Sequence, residues 1–292
     1  MAFTKLKDIV TSQVINGSER YYSWRKSPTQ ATTQGIWFDL SMSPGNPVPK
    51  YWFDAAPLAA KVVAQSTDGG LFHGGNVSPQ TKYLRELMAI CVTATALPMQ
   101  MLLCDYLLYY PTIDDSITDP QTMDNTNILT RYTDGTGVQM IAISDASRVG
   151  GATFTVTYTN SAGVGSRVTP NVVENAATSN GVLINSSLTS TTAQSNSTGA
   201  FITLQAGDKG VRSVQSVQMN GTGDVGLFSL VLVKPLASFS IRGIDAPVEV
   251  DYVKDFGLTP IIQDDAFLNF LVLPQGTLAA SAIHGTIKTT FY

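Results

Sequence analysis

The chain has 292 residues, room for one large β domain or two ordinary ones, and a chain of this size buries roughly 75% of its unfolded surface without a disulfide or metal staple. Hydrophobic residues make up 43% and charged residues only 14%, against about 25% charged in average globular usage, which excludes a charge-rich disordered chain. The net charge of −4 argues against nucleic acid or an anionic membrane as the main partner.

The first ten residues, MAFTKLKDIV, hold neither an apolar h-region nor a small-residue cleavage site, so no secretory signal is expected there. Tyr21, Tyr22, Trp24, Trp37 and Phe38 then stand among Ser, Thr and Gln, and residues 42–49 carry three prolines and a glycine, a turn or extended link. With Trp52, these aromatics exceed what so little periodic structure is expected to bury. Residues 1–57 are therefore read as an extended, loop-rich arm. Tyr21, Tyr22, Trp24, Trp37, Phe38 and Trp52 are its candidates for an assembly interface with a neighbouring subunit.

Residues 55–65 (AAPLAAKVVAQ) fit a short helix or a strand. Residues 68–75 (DGGLFHGG) read as a loop; no Lys-Ser/Thr follows and no helix start is evident, which rules out a phosphate-binding P-loop. The most apolar stretch, 87–110, is interrupted by Thr93, Thr95, Pro98, Gln100 and Asp105, a poor membrane span. Pro98 divides it into two buried strands, 87–94 and 99–110.

Residues 153–159 (TFTVTYT) alternate strictly, placing Phe154, Val156 and Tyr158 on one face of a half-wet strand. Residues 160–165 (NSAGVG) are turn chemistry and 167–173 return as a hairpin partner. Residues 184–200 are almost all small and polar, a loop or exposed edge. Two strand patterns, 211–219 and 227–233, flank 220–226 (NGTGDVG), read as their hairpin turn, with the second run ending at Pro235. The glycines at 221, 223 and 226 spell G-x-G-x-x-G, but a dinucleotide site needs a helix after them, and a β-branched run follows instead. Short strands are expected at 239–244, 248–253 and 267–273, and the tail 282–292 alternates Thr with aromatics. The pattern is all-β, a jelly roll or β-sandwich over residues 58–292.

Little catalytic equipment is visible. Cys91 and Cys104 lie in an apolar run and read as small buried hydrophobes. His73 and His284 each lack a second ligand at zinc spacing. Asp114 with Asp115, Asp264 with Asp265, and Glu249 with Asp251 are the paired carboxylates a glycosidase would need, but neighbours on a strand point to opposite faces. Asp114, Asp115 and Asp119 lack the ligand order and glycine of a calcium loop, and the glycine inside Asp134–Gly137 spoils an Asp-Thr-Gly motif. The five Asn-x-Ser/Thr sequons, at Asn16, Asn76, Asn185, Asn196 and Asn220, fit chance in Ser- and Asn-rich loops. No catalytic, cofactor-binding or metal residue is assigned, and an enzyme is not expected.

Five stretches carry a resemblance: residues 103–111 (LCDYLLYYP), 124–139 (DNTNILTRYTDGTGVQ), 153–160 (TFTVTYTN), 204–217 (LQAGDKGVRSVQSV) and 226–253 (GLFSLVLVKPLASFSIRGIDAPVEVDYV). Together they resemble a family of virion structural proteins of tailed bacteriophages, over roughly residues 80–290. The resemblance implies a β-sandwich or jelly-roll module located in the phage head. It implies a capsid decoration (cement) role over capsomer junctions, with the major capsid protein and copies of the chain itself, as a trimer, for partners. A tail-tube or head–tail connector component, or a glycan- or receptor-binding module using Trp24, Trp37 or Trp52, is the alternative. No functional residue carries over from it.

Overall fold

The computed structural model describes residues 5–292 apart from 150, 176–178, 187–198, 223–224, 245 and 258. Among the described residues the strands run, in chain order, β1 (Arg20–Lys26), β2 (Phe38–Asp39), β3 (Gly45–Asn46), β4 (Lys61–Val62), β5 (Lys82–Cys91), β6 (Met99–Asp114), β7 (Gln121–Thr122) and β8 (Gln139–Ser144). They continue with β9 (Thr153–Asn160), β10 (Arg167–Val168), β11 (Val172–Val173), β12 (Val211–Met219), β13 (Leu227–Ile241), β14 (Val248–Asp251), β15 (Ile261–Ile262), β16 (Phe267–Leu273) and β17 (Ile283–Phe291). The helices are short: α1 (Leu6–Val10), continued by a π-turn (Thr11–Ile15), α2 (Gln65–Asp68) and α3 (Tyr252–Phe256). The fold is an all-β sandwich of three antiparallel sheets.

A central sheet, in the order β2-β16-β6-β13-β8, is built on two long antiparallel strands, β6 and β13. At ~3.3 Å per residue the 16 residues of β6 span about 50 Å, long enough to cross two smaller sheets placed side by side. One end of the pair lies over β14-β5-β17-β1-β3, where Trp24 of β1 packs 4.7 Å from Phe270 of β16. The other end lies over β10-β9-β12-β7, where Phe154 of β9 packs 5.3 Å from Phe228 of β13. Tyr110 ties that end across the core: its hydroxyl donates to Asn125 Oδ1 at 2.8 Å and accepts from the Val214 amide at 2.9 Å.

The opposite face of the central sheet is covered by irregular chain instead. Tyr106 and Tyr109 of β6, Val231 and Val233 of β13, and Phe267 and Leu271 of β16 pack there under Trp37, Trp52, Val63 and Leu183. Both faces are dry, so these strands read in sequence as near-continuous apolar runs. The flanking sheets keep a wet side, and β9 alternates buried and half-buried residues along its whole length.

Several expectations hold to within a residue or two: the β9 alternation with its returning partners β10 and β11, and the strand at 267–273. Pro98 does divide two strands, but β5 begins five residues earlier and ends three earlier than expected, and β6 runs four residues further. Residues 55–65 yield both a strand pair, β4, and the start of α2. Pro235 does not end its strand. It falls at a register shift between Pro235 and Ala237, and β13 continues to Ile241, because a bulge is where a strand tolerates a residue without an N–H. The hairpin expected across 220–226 is also corrected. β12 pairs with β9 and β7 while β13 pairs with β6 and β8, so that segment crosses between sheets. Of the expected loop at 184–200, residues 187–198 lie outside the described residues.

Candidate assembly surface

The aromatic N-terminal segment is woven into the sandwich. β1 pairs with β17 over its full length and β2 pairs with β16, so residues 20–57 contribute to two sheets and do not form an arm apart from a domain beginning at 58. Alternation on β1 puts Tyr21 on the outer face and Tyr22 and Trp24 on the inner one, with Tyr22 only half-buried. Trp24 points inward, against Phe270 and the bare backbone of Gly285, where a Cβ would stand 2.9 Å from the indole. Trp37, Phe38 and Trp52 are buried too. Trp52 stacks on Tyr106 at 5.5 Å and meets Tyr109 and Phe267 edge-on at 5.1 and 6.0 Å, pairings worth about 0.5–1.5 kcal/mol each beyond area. Four of the six interface candidates (Trp24, Trp37, Phe38 and Trp52) are therefore core residues, a correction. The segment has little periodicity because it packs as a cover over a sheet, and a cover buries aromatics without repeating.

Tyr21 and Tyr22 do reach solvent. Tyr21 lies under the Lys288 ammonium, 4.5 Å from its ring centroid, and Tyr22 meets the exposed ring of Phe72 edge-on at 4.9 Å. The exposed partners were not legible as such. Val48, Tyr51 and Phe53 are about half exposed or more, with Tyr51 and Phe53 5.5 Å apart on either side of buried Trp52. Phe72 belongs to the glycine-rich loop, which is packed rather than free. Gly70 (φ +83°) sits where a Cβ would press 3.1 Å from the Leu268 backbone, a position only glycine fills without strain. Lys50 ties the two loops together, pairing with Asp54 and, at 3.0 Å, with Asp68.

The buried ionisable groups are consumed internally. Asp39 accepts the Tyr106 hydroxyl at 2.7 Å, the Trp52 indole N–H at 3.1 Å, the Ser41 amide at 3.0 Å and the Ser41 hydroxyl, while burial raises its carboxyl above the usual range. Lys26 donates to the Ser43 carbonyl at 3.0 Å, and burial pulls its ammonium down to about 8 against the opposing field of Asp39. Arg131 grips Asp105 through two bonds of 2.9 and 3.0 Å and also holds the carbonyls of Val63 and Tyr106. Burial still outweighs that partner and pushes the Asp105 carboxyl up to about 6. Arg148 is clamped between Asp115 and Glu174 at the end of β6. Gly226, the last glycine of the G-x-G-x-x-G, lies against this clamp, where a Cβ would stand 2.9 Å from Asp115 Oδ2. Its glycine serves packing, and the strand β13 follows it where a nucleotide site would need a helix.

The remaining chemistry-bearing residues are similarly placed. His73 is fully buried; its Nε2 faces the Ala266 carbonyl at 2.9 Å and its Nδ1 the Lys82 ammonium at 3.1 Å. Burial, then Lys82, lowers it to about 4. Cys91 and Cys104 are buried and free, with both thiols pushed up by burial. Asp115 turns inward to Arg148, Asp114 caps Ser116 and Asp119 is exposed, so the three carboxylates do not converge. Among the described residues no three His, Cys, Asp or Glu side chains gather as a metal site. Asp264 accepts the Val77 amide and Asp265 the Ser66 amide, each fastening a loop. No helix among the described residues is long and apolar enough to cross a membrane.

No protein-family model matches the chain and no curated protein resembles it in sequence. Among solved structures, the infectious bursal disease virus VP2 subviral particle aligns over 99% of this chain and 87% of its own, at 8% identity and a TM-score of 0.17. A superposition that poor carries no argument about fold or role.

Proposed function

We propose that this chain is a structural protein of a tailed-bacteriophage virion, acting as a decoration (cement) protein that binds over capsomer junctions of the head. One observation carries the reading. Several ionisable groups, among them Lys50, Asp105, Asp115, Arg131 and Arg148, are paired inside the fold, while apolar side chains such as Tyr51, Phe53 and Phe72 are left in water. A surface of that kind serves contact, since exposed apolar residues grouped on tied loops mark interaction sites. Broad, weakly charged area is also what repeated subunit packing needs, and binding two capsomers at once multiplies modest affinities through effective concentration. Its partners are then the major capsid protein and further copies of itself. The glycan-binding alternative has lost its residues, because Trp24, Trp37 and Trp52 are interior.

The test is to locate and count the chain in purified particles by cryo-electron microscopy and quantitative mass spectrometry. Hundreds of copies on the head are expected. Six or twelve at one vertex would replace this reading by a connector or tail component, and none would end it.

A further inference from the structure

The N-terminal helix is amphipathic the wrong way round. Asp8 and Ser12, one turn apart, face the protein: Ser12 is fully buried and donates to the Phe291 carbonyl at 2.7 Å, and Asp8 caps the Lys5 amide at 3.1 Å. The apolar residues look outward, with Leu6 67%, Val10 48%, Val14 76% and Ile15 73% exposed. Leu6, Val10 and Val14 recur every four residues, a stripe that normally faces a core. Anchored by its polar side to the end of β17, the segment holds that stripe out to solvent.

A matching concavity lies elsewhere on the chain. Beyond Val233, β13 has β6 on one side and, among the described residues, no strand on the other, because β8 pairs only as far as Val233. After Ile241 the chain turns and β14 departs into a different sheet. Two adjoining lobes of about 550 Å³ each open between β13 and the β14–α3 segment, meeting at Phe256, each within the size range of ligand pockets, ~300–1,000 Å³. Phe256 is 64% exposed at the junction. The Tyr252 hydroxyl in the wall is buried without a hydrogen-bond partner, a group whose desolvation is unrecovered until something supplies one. The walls carry Glu249 and Asp255 against one cation, Arg242, while the exposed N-terminal segment carries Lys5 and Lys7.

We propose that the apolar stripe of Leu6–Ile15 from one copy of the chain docks in the β13–β14–α3 groove of another. The contact is head-to-tail, joining two different surfaces, so it propagates from copy to copy, closing into a ring where its rotation allows and running on as an open filament where it does not. It rests on the reading of the chain as a virion protein that packs against copies of itself and names the surfaces for that contact. Lys5 and Lys7 meet Glu249 and Asp255 at the rim.

Analytical ultracentrifugation of the full chain tests this with two variants, a stripe variant (Leu6→Glu, Val10→Glu, Val14→Glu) and a groove variant (Phe256→Asp). All four positions are exposed, so circular dichroism and thermal unfolding should match the parent. Each variant alone should sediment as a monomer where the parent assembles. Mixed one to one they should form a dimer and nothing larger, because only one intact stripe and one intact groove remain to meet. Variants that assemble like the parent, or a parent that stays monomeric at every concentration, overturn the proposal. So does parent binding to phosphatidylglycerol vesicles that the stripe variant loses, which would assign the stripe to a membrane surface. Counting copies on purified particles separates the two failures. Abundant head copies with unaffected variants sink the contact alone, whereas the expected crossing behaviour with no copies on particles sinks the virion role alone.

Discussion

The two faces of the central sheet are closed by different means. One is covered by two regular sheets, and its contacts are largely aliphatic and aromatic: Trp24 on Phe270, Phe154 on Phe228. The other is covered by irregular chain, and there the aromatic Trp52 arrives with a hydrogen-bonded carboxylate, Asp39, and with Ser229 and Asp145 nearby. Sheets satisfy their own backbone polar groups by pairing. Irregular backbone laid over a dry face must be satisfied by side chains, so polar residues accompany the cover into the interior. The difference teaches that buried charge here is spent on irregular backbone: Lys26 holds the Ser43 carbonyl, Asp39 the Ser41 amide and Arg131 the Val63 carbonyl.

Truncation on the two faces should separate these regimes most sharply. Trp52→Ala and Phe270→Ala each remove a buried ring and should cost about 3–5 kcal/mol by denaturant unfolding. Trp52→Ala should be the more damaging, because it also strips a donor from buried Asp39. Equal losses would break the contrast. Trp52→Phe keeps most of the packing and deletes the indole N–H, for an expected cost of about 1.5–3 kcal/mol, as for a bond to a charged group.

The pH dependence sharpens the comparison further. Burial raises Asp145 to about 7, with the Ser229 hydroxyl at 2.7 Å opposing. Its folded value lies above its unfolded one, so the folded state prefers the protonated form. Stability attributable to this group is present below about pH 4 and lost as pH rises towards 7. Asp145→Asn should therefore leave stability unchanged near pH 4 and raise it by at least about 1 kcal/mol at pH 8, since one pKa unit is ~1.4 kcal/mol. An equal effect at both pH values would refute the assignment. His73 works in the opposite sense: lowered to about 4, it contributes stability that is lost as pH falls from about 6.5, and His73→Gln should flatten that acid limb. The smallest effect belongs to the surface. Tyr21→Ala removes an exposed contact with Lys288 and should shift stability by no more than about 1 kcal/mol.

The sequence was most legible where one periodicity governs a whole element. The alternation of TFTVTYT marked the buried face of β9 residue by residue, and the run at 267–273 coincides with β16. It was least legible where an element's neighbour decides its meaning. NGTGDVG is turn chemistry whether its flanking strands pair with each other or enter different sheets, and they enter different sheets. The aromatic content of residues 1–57 looks like a surplus for assembly, yet Trp37 and Trp52 are what closes the second face. The trace of exposure in that stretch is the triplet Tyr51-Trp52-Phe53, whose outer rings face water while the middle one is buried.

By itself the sequence determined the strand content, the dry runs of β6 and β13 and the wet side of β9, because side-chain periodicity along a strand reports how many of its faces are covered. Only the tertiary structure decided what does the covering. Pairing between β1 and β17, or between β2 and β16, joins residues more than 200 positions apart, and those partners are chosen by register and fit across space. The same holds for the inverted N-terminal helix, whose polar side is buried only because the end of β17 is there to receive it.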